Sequence, residues 1–141
     1  MAALLFWLLT IACCFAGARY GGSAGRWTAA IYLTGSVATL IVYWLFPGWG
    51  RMHLPTLLVD IVILAALVAV AFRSRRWFPI WMSGLHSVGV VSHFATGFVP
   101  HFAYKVYFLF QGFWAIPMLL VFAAGAMRDW QAGIRDERGP I

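Results

Sequence analysis

The sequence predicts an all-α integral membrane protein with five transmembrane helices, four of ordinary length preceded by a shorter N-terminal one. Hydrophobic residues form 63% of the 141-residue chain, charged residues only 10%, and the mean hydropathy is +0.85, whereas a soluble domain is roughly a quarter charged. Five apolar segments alternate with short stretches that are polar or rich in glycine and proline. The basic residues concentrate in alternate connections, which is the pattern that the positive-inside rule produces in a multi-pass protein.

The first two segments are predicted spans at about residues 2–18 and 27–46. No Lys or Arg precedes Arg19, and a signal peptide needs a basic beginning, so we expect the first segment to be retained as a short span. The glycine-rich stretch 19–26 is expected to break the helix. Pro47 is expected to end the second span, because proline cannot continue a helix without losing a hydrogen bond.

The other three spans are predicted at about residues 55–72, 77–99 and 106–127. Proline at position 55 favours the first turn of a helix, and the basic cluster at 73–76 is expected to stop the third span. At ~20 residues for each crossing, five spans and their connections use nearly the whole chain. The predicted organisation is one transmembrane helical domain over residues 1–127, followed by a polar cytoplasmic tail over 128–141.

Orientation follows from the asymmetry of the basic residues. Only Arg51 and Lys105 of the ten basic residues lie in the second and fourth connections. The first connection, the third connection and the tail hold the others: Arg19, Arg26, Arg73, Arg75, Arg76, Arg128, Arg135 and Arg138. We therefore expect the N-terminus outside and the C-terminus in the cytoplasm. Arginine outnumbers lysine nine to one, and Ala, Val, Gly and Trp are frequent, which suggests a bacterial protein. With the predicted spans, the expected localisation is the inner membrane, as a multi-pass protein.

Three predicted spans carry a polar side chain at a similar depth. Asp60, His93 and Gln111 each lie five or six residues from the outer end of their span, roughly 8–9 Å into the bilayer at 1.5 Å per residue. Polar and ionisable groups are costly there, so they are candidates for function by default. The sequence predicts an intramembrane polar cluster of these three residues, which fixes the helix register in the simplest interpretation. It does not determine whether Asp60 and His93 touch.

The leading functional hypothesis is a non-catalytic accessory or structural subunit of a larger membrane complex, of respiratory or photosynthetic type. The chain has no GxSxG, HExxH or paired-carboxylate motif, so we expect it not to be an enzyme. Small-residue stripes such as Ala123 to Ala126 are typical of helix-packing surfaces. The expected partners are the lipid bilayer and other integral membrane subunits. Nucleic acid is excluded as a partner, because no basic helix or stacking platform of that type occurs.

The first alternative is a cofactor-binding membrane module that holds a tetrapyrrole or a quinone. His86 and His93 are seven residues apart, which is two helical turns, so both imidazoles project from one face. Imidazole is an axial ligand of haem iron, and it also binds the magnesium of a chlorin. Gly89 and Gly97, each four residues from His93, would leave room for a flat ring. The cofactor-binding candidates are therefore His86 and His93, with the cofactor itself unknown and lipid expected beside it.

A second alternative is a small proton-coupled transporter in which Asp60 and His93 exchange a proton. A lipid-directed enzyme that uses Asp60, His86 or His93 is a further hypothesis. No metal site is assigned, since nothing fixes the geometry of the one set considered for zinc or copper, which is His53, His93 and His101. The adjacent residues Cys13 and Cys14 form no metal-binding or disulfide pattern, and we expect both to be small packing residues.

Overall fold

The computed structural model of the chain describes residues 2–46, 53–98 and 104–134, with side chains over 4–46, 53–94 and 113–134. These residues form five helices and, within the ranges just given, no strand: α1 (Ala2–Tyr20), α2 (Gly22–Leu45), α3 (Leu54–Arg73), α4 (Phe78–Phe98) and α5 (Tyr104–Gln131). The all-α prediction is confirmed. Two of the helices, α2 and α3, are long and apolar enough to cross a membrane.

Two helix bounds differ from the sequence prediction by more than two residues. Helix α2 begins at Gly22 rather than near Trp27, because a tight turn replaces the predicted glycine-rich connection. Gly22 adopts φ 63°, a left-handed conformation that glycine reaches without a steric penalty. The Gly21 amide also donates to the Gly17 carbonyl at 2.8 Å, which closes the last turn of α1. At the other end of the chain, α5 continues to Gln131, four residues beyond the predicted span.

The five helices form a closed ring. Each helix packs against its neighbours in sequence, and α1 also packs against α5. The ring has two ends, which we name by a residue at each. The His53 end holds the start of α3 and the end of α2, and the Arg76 end holds the start of α4 and the end of α5.

The hydrophobic core occupies the half of the ring toward the Arg76 end. Phe78 of α4 and Phe122 of α5 are fully buried, with ring centroids 5.5 Å apart. The other buried members come from four helices: Cys13, Cys14, Ala24, Ala29, Tyr32, Met82, Met118 and Leu119. Both cysteines are buried free thiols, in agreement with the packing role expected for them.

A buried ion pair closes the Arg76 end. The Arg76 guanidinium donates to Asp129 Oδ2 at 3.0 Å, and both side chains are almost completely buried. A second guanidinium nitrogen donates to the Ile134 carbonyl at 3.2 Å. These contacts tie the residues before α4 to the end of α5, which explains why α5 remains helical through Asp129.

The contact between α1 and α2 depends on glycine at position 25. A Cβ atom there would collide with the backbone carbonyl of Gly17, which cannot rotate away as a side chain could. We expect Gly25→Ala to lower the free energy of unfolding by about 1–3 kcal/mol, as overpacking typically does. The control is Gly84→Ala on α4, where an added Cβ meets nothing within 4 Å. Equilibrium unfolding in mixed detergent micelles measures both variants, and equal stabilities would contradict the close approach.

Candidate functional site

The half of the ring toward the His53 end contains a partly open cavity of about 330 Å³. This volume falls within the range of small-molecule sites, about 300–1,000 Å³. All five helices contribute to its wall. The lining residues are Phe6 and Trp7 of α1; Tyr32, Ser36, Thr39, Leu40 and Tyr43 of α2; Thr56, Asp60 and Ile63 of α3; Leu85, His86 and Gly89 of α4; and Trp114, Ala115 and Met118 of α5.

Asp60 is the acidic residue in this wall. Pro55 lies in the first turn of α3, and Asp60 follows between one and two turns later. Its Oδ2 accepts a hydrogen bond from His93 Nε2 at 2.8 Å. The Asp60 side chain is 15% exposed, whereas the His93 side chain is completely buried and does not line the cavity. His93 therefore binds the carboxylate from the buried side, while Asp60 forms part of the cavity wall.

His86 contacts the same residue at its backbone. Its Nε2 lies 3.1 Å from the Asp60 carbonyl oxygen, and a carbonyl only accepts, so Nε2 carries the hydrogen. In the neutral ring, Nδ1 then keeps its lone pair. The seven-residue spacing of His86 and His93 thus brings both imidazoles of α4 to Asp60, one at the backbone and one at the carboxylate.

A second polar group, His53, contacts two residues of the cavity wall at the His53 end. The His53 ring stacks on Tyr43 with centroids 5.1 Å apart and an angle of 7° between the planes. Its Nε2 donates to the Phe46 carbonyl at 2.6 Å, and its Nδ1 lies 2.6 Å from Thr56 Oγ1. His53 therefore connects the end of α2 to the first turn of α3. Tyr43 and Thr56 also line the cavity, so these contacts fix two wall residues.

The remaining residues singled out in the sequence are placed as follows. Gln111 belongs to α5, but its side chain lies outside the described residues, so its membership of the polar cluster stays a prediction. His101 also lies outside them. Within the described ranges, no three residues of the His, Cys, Asp and Glu types are grouped to hold a metal ion. The hypothesis that His86 and His93 are axial ligands stays a prediction, and in this structure His93 Nε2 is engaged by Asp60.

Sequence reasoning missed the aromatic part of the wall. Tyr32, Ser36, Thr39 and Tyr43 recur every three or four residues, which places them on one face of a helix. This stripe was a usable signal for a polar inner face on α2. Trp7 of α1 and Trp114 of α5 carried no such signal, because tryptophan is equally common at a membrane interface.

Comparisons with known proteins identify no relative. No family model, no curated protein and no solved structure matches this chain. Inference about its function therefore depends on the cavity, on the residues that line it and on the outer surface of the ring.

Proposed function

We propose that this protein is a multi-pass integral membrane protein that binds a small lipophilic molecule in the cavity between its five helices. The observation that carries the proposal is the position of Asp60. Its carboxylate faces a largely apolar cavity and is fixed there by His93 at 2.8 Å. A mostly apolar wall with a few oriented polar groups is the usual composition of a small-molecule site.

The proposal places all five helices across the bacterial inner membrane, with the N-terminus outside and the C-terminus in the cytoplasm. The length and apolar character of α2 and α3 support it. The other helices also present large apolar side chains outward, which would be unfavourable in water. Examples are Leu4, Leu8 and Phe15 of α1, Ile80, Trp81 and Val91 of α4, and Phe113, Ile116 and Leu120 of α5. The distribution of basic residues supports the orientation.

Energetics support a ligand rather than a purely structural role for Asp60. A carboxylate exposed to an apolar cavity loses much of its hydration, and a residue that only fixed helix register would be more stable with both oxygens engaged. Here Oδ2 is held by His93, and the Asp60 side chain is still 15% exposed and lines the cavity. The carboxylate is therefore placed to contact a bound molecule.

The expectation of an accessory subunit in a larger complex stays a prediction and is compatible with ligand binding. The same outward apolar side chains that would face lipid could face a partner subunit. A quinone-binding module is one version of the proposed function, with His86 as its cavity-lining histidine. The proton-coupled transporter also stays a prediction.

Filling the cavity from Gly89 tests the proposed function. Gly89 lines the cavity, and an added Cβ meets nothing within 4 Å, so Gly89→Leu should fold while its side chain occupies the ligand space. The protein is purified in mild detergent, extracted with organic solvent and analysed by mass spectrometry. We expect a lipophilic compound that is enriched with the natural sequence and reduced by at least about tenfold in Gly89→Leu.

The matched control is Gly84→Leu, on the same helix and equally free of contacts, but on its exposed side. This variant should retain the compound at the level of the natural sequence. If the natural sequence and Gly89→Leu yield the same extract, the cavity is not a ligand site and the proposed function is wrong.

A further inference from the structure

We propose that the ligand of this cavity is an organic cation, a lipophilic amine or quaternary ammonium compound that carries an aromatic or other ring. This inference rests on the proposed function, since it names the chemical class that the same cavity accepts. Two features of the wall carry it: the sign of its charge and the aromatic side chains around that charge.

The first feature is the acidic side chain in the described part of the wall. Among the described residues that line the cavity, Asp60 is the only acidic residue, and none is Lys or Arg. His93 donates a hydrogen bond to the carboxylate through Nε2. In the inferred state this imidazole is neutral, so the bond fixes the carboxylate and leaves its charge to the ligand. A fixed carboxylate in an apolar environment repels anions and attracts cations.

His86 needs no positive charge to make its contact with Asp60. Its Nε2 donates to the Asp60 carbonyl, and neutral imidazole is sufficient for that bond. In the neutral ring, Nδ1 then offers a lone pair, which accepts a hydrogen bond from the N–H of a protonated amine. A quaternary ammonium has no N–H, and it is recognised through its charge and through the aromatic rings alone. The Asp60 carboxylate and a neutral His86 that donates through Nε2 both offer acceptors to a protonated amine.

The second feature of the wall is its aromatic side chains. Five rings from three helices line the cavity: Phe6, Trp7, Tyr32, Tyr43 and Trp114. The negative face of an aromatic ring attracts a cation, most strongly for tryptophan and when the cation is shielded from water. Aromatic cages are a common means by which proteins recognise quaternary ammonium groups. A ring on the ligand gains additional contact with the same side chains.

The strongest competing ligand is a neutral hydrogen-bond donor such as a hydroquinone. It would also donate to the Asp60 carboxylate and to His86 Nδ1, but it would gain little from the negative charge. The two classes differ in whether the affinity depends on the positive charge of the ligand. A pair of compounds with the same shape and different charge measures this dependence directly.

The test uses benzyltrimethylammonium and its neutral isostere neopentylbenzene, in which carbon replaces the nitrogen. Each compound is titrated into the full-length protein in mild detergent, and binding is followed by calorimetry. We expect the cation to bind the natural sequence at least about tenfold more tightly than the isostere. Asp60→Asn, which keeps an acceptor for His93, should weaken the cation by at least about tenfold and leave the isostere unchanged.

Two variants show whether the cation binds in the cavity. Gly89→Leu, which fills the cavity, should abolish binding of the cation, whereas Gly84→Leu on the exposed side of α4 should not. The comparison of the two compounds on the natural sequence needs no variant, so a misfolded Asp60→Asn would not prevent a decision. Equal binding of cation and isostere, or no binding of the cation, would overturn the inference. In that outcome a compound retained in the cavity and lost in Gly89→Leu would still support the proposed function.

Discussion

Replacing Arg76 with methionine is expected to lower the free energy of unfolding by about 3–5 kcal/mol. The loss has a specific origin, because methionine matches the length of the arginine stem but leaves Asp129 buried without its counter-charge. Only 3% of the Asp129 side chain is exposed, so water cannot replace the guanidinium. Equilibrium unfolding of the purified protein by sodium dodecyl sulfate in mild-detergent micelles measures the change.

Two further variants show whether the uncompensated charge is the cause. The double substitution Arg76→Met with Asp129→Leu removes both charges, and it should recover most of the stability. Arg73→Met removes an exposed arginine three residues earlier and should change the stability by less than about 0.5 kcal/mol. A double variant as unstable as Arg76→Met would show that packing, rather than the buried charge, explains the loss.

Truncating Phe122 to alanine is expected to cost about 3–5 kcal/mol, the usual range for a large core residue. Phe122 is completely buried and packs on Phe78. Its ring also occupies the space that a side chain at position 17 would need, so it fills the gap between α1, α4 and α5. The same detergent-unfolding measurement applies.

The control for the truncation of Phe122 is Phe113→Ala on the same helix. Phe113 is 59% exposed, and its removal leaves no hole in the core, so we expect a loss below about 1 kcal/mol. Similar losses at positions 113 and 122 would mean that the side of α5 assigned to the core is wrong.

The helices themselves could be predicted from the sequence, whereas the geometry of their ends could not. Apolar segments bounded by proline, glycine and arginine clusters specify where helices lie. The turn at Gly21 and Gly22 is shorter than its glycine content suggests, because α1 and α2 approach each other at Gly17 and Gly25. The last turn of α5 depends on Asp129 reaching an arginine 53 residues earlier, and no local pattern contains that contact.

The candidate site also has features that could be predicted from the sequence and features that could not. Equal depth in two spans drew attention to Asp60 and His93, and the structure brings their side chains to 2.8 Å. The partner of His86 is a backbone carbonyl, which every residue has, so the sequence could not single it out. The contribution of Trp114 required knowledge that α5 closes the ring against α1, which is a property of the topology and not of any segment.

The ring separates the requirements of folding from those of recognition along one axis. Most of the buried core residues lie in the half toward Arg76, and most of the residues that would select a molecule lie in the half toward His53. Tyr32 and Met118 belong to both sets and form the boundary between them. Substitutions at Ser36, Thr39 or Leu40 therefore alter the cavity without disturbing the packed half. Such an arrangement allows the chemical preference of the cavity to diverge among descendants of this chain while the helical ring itself remains intact.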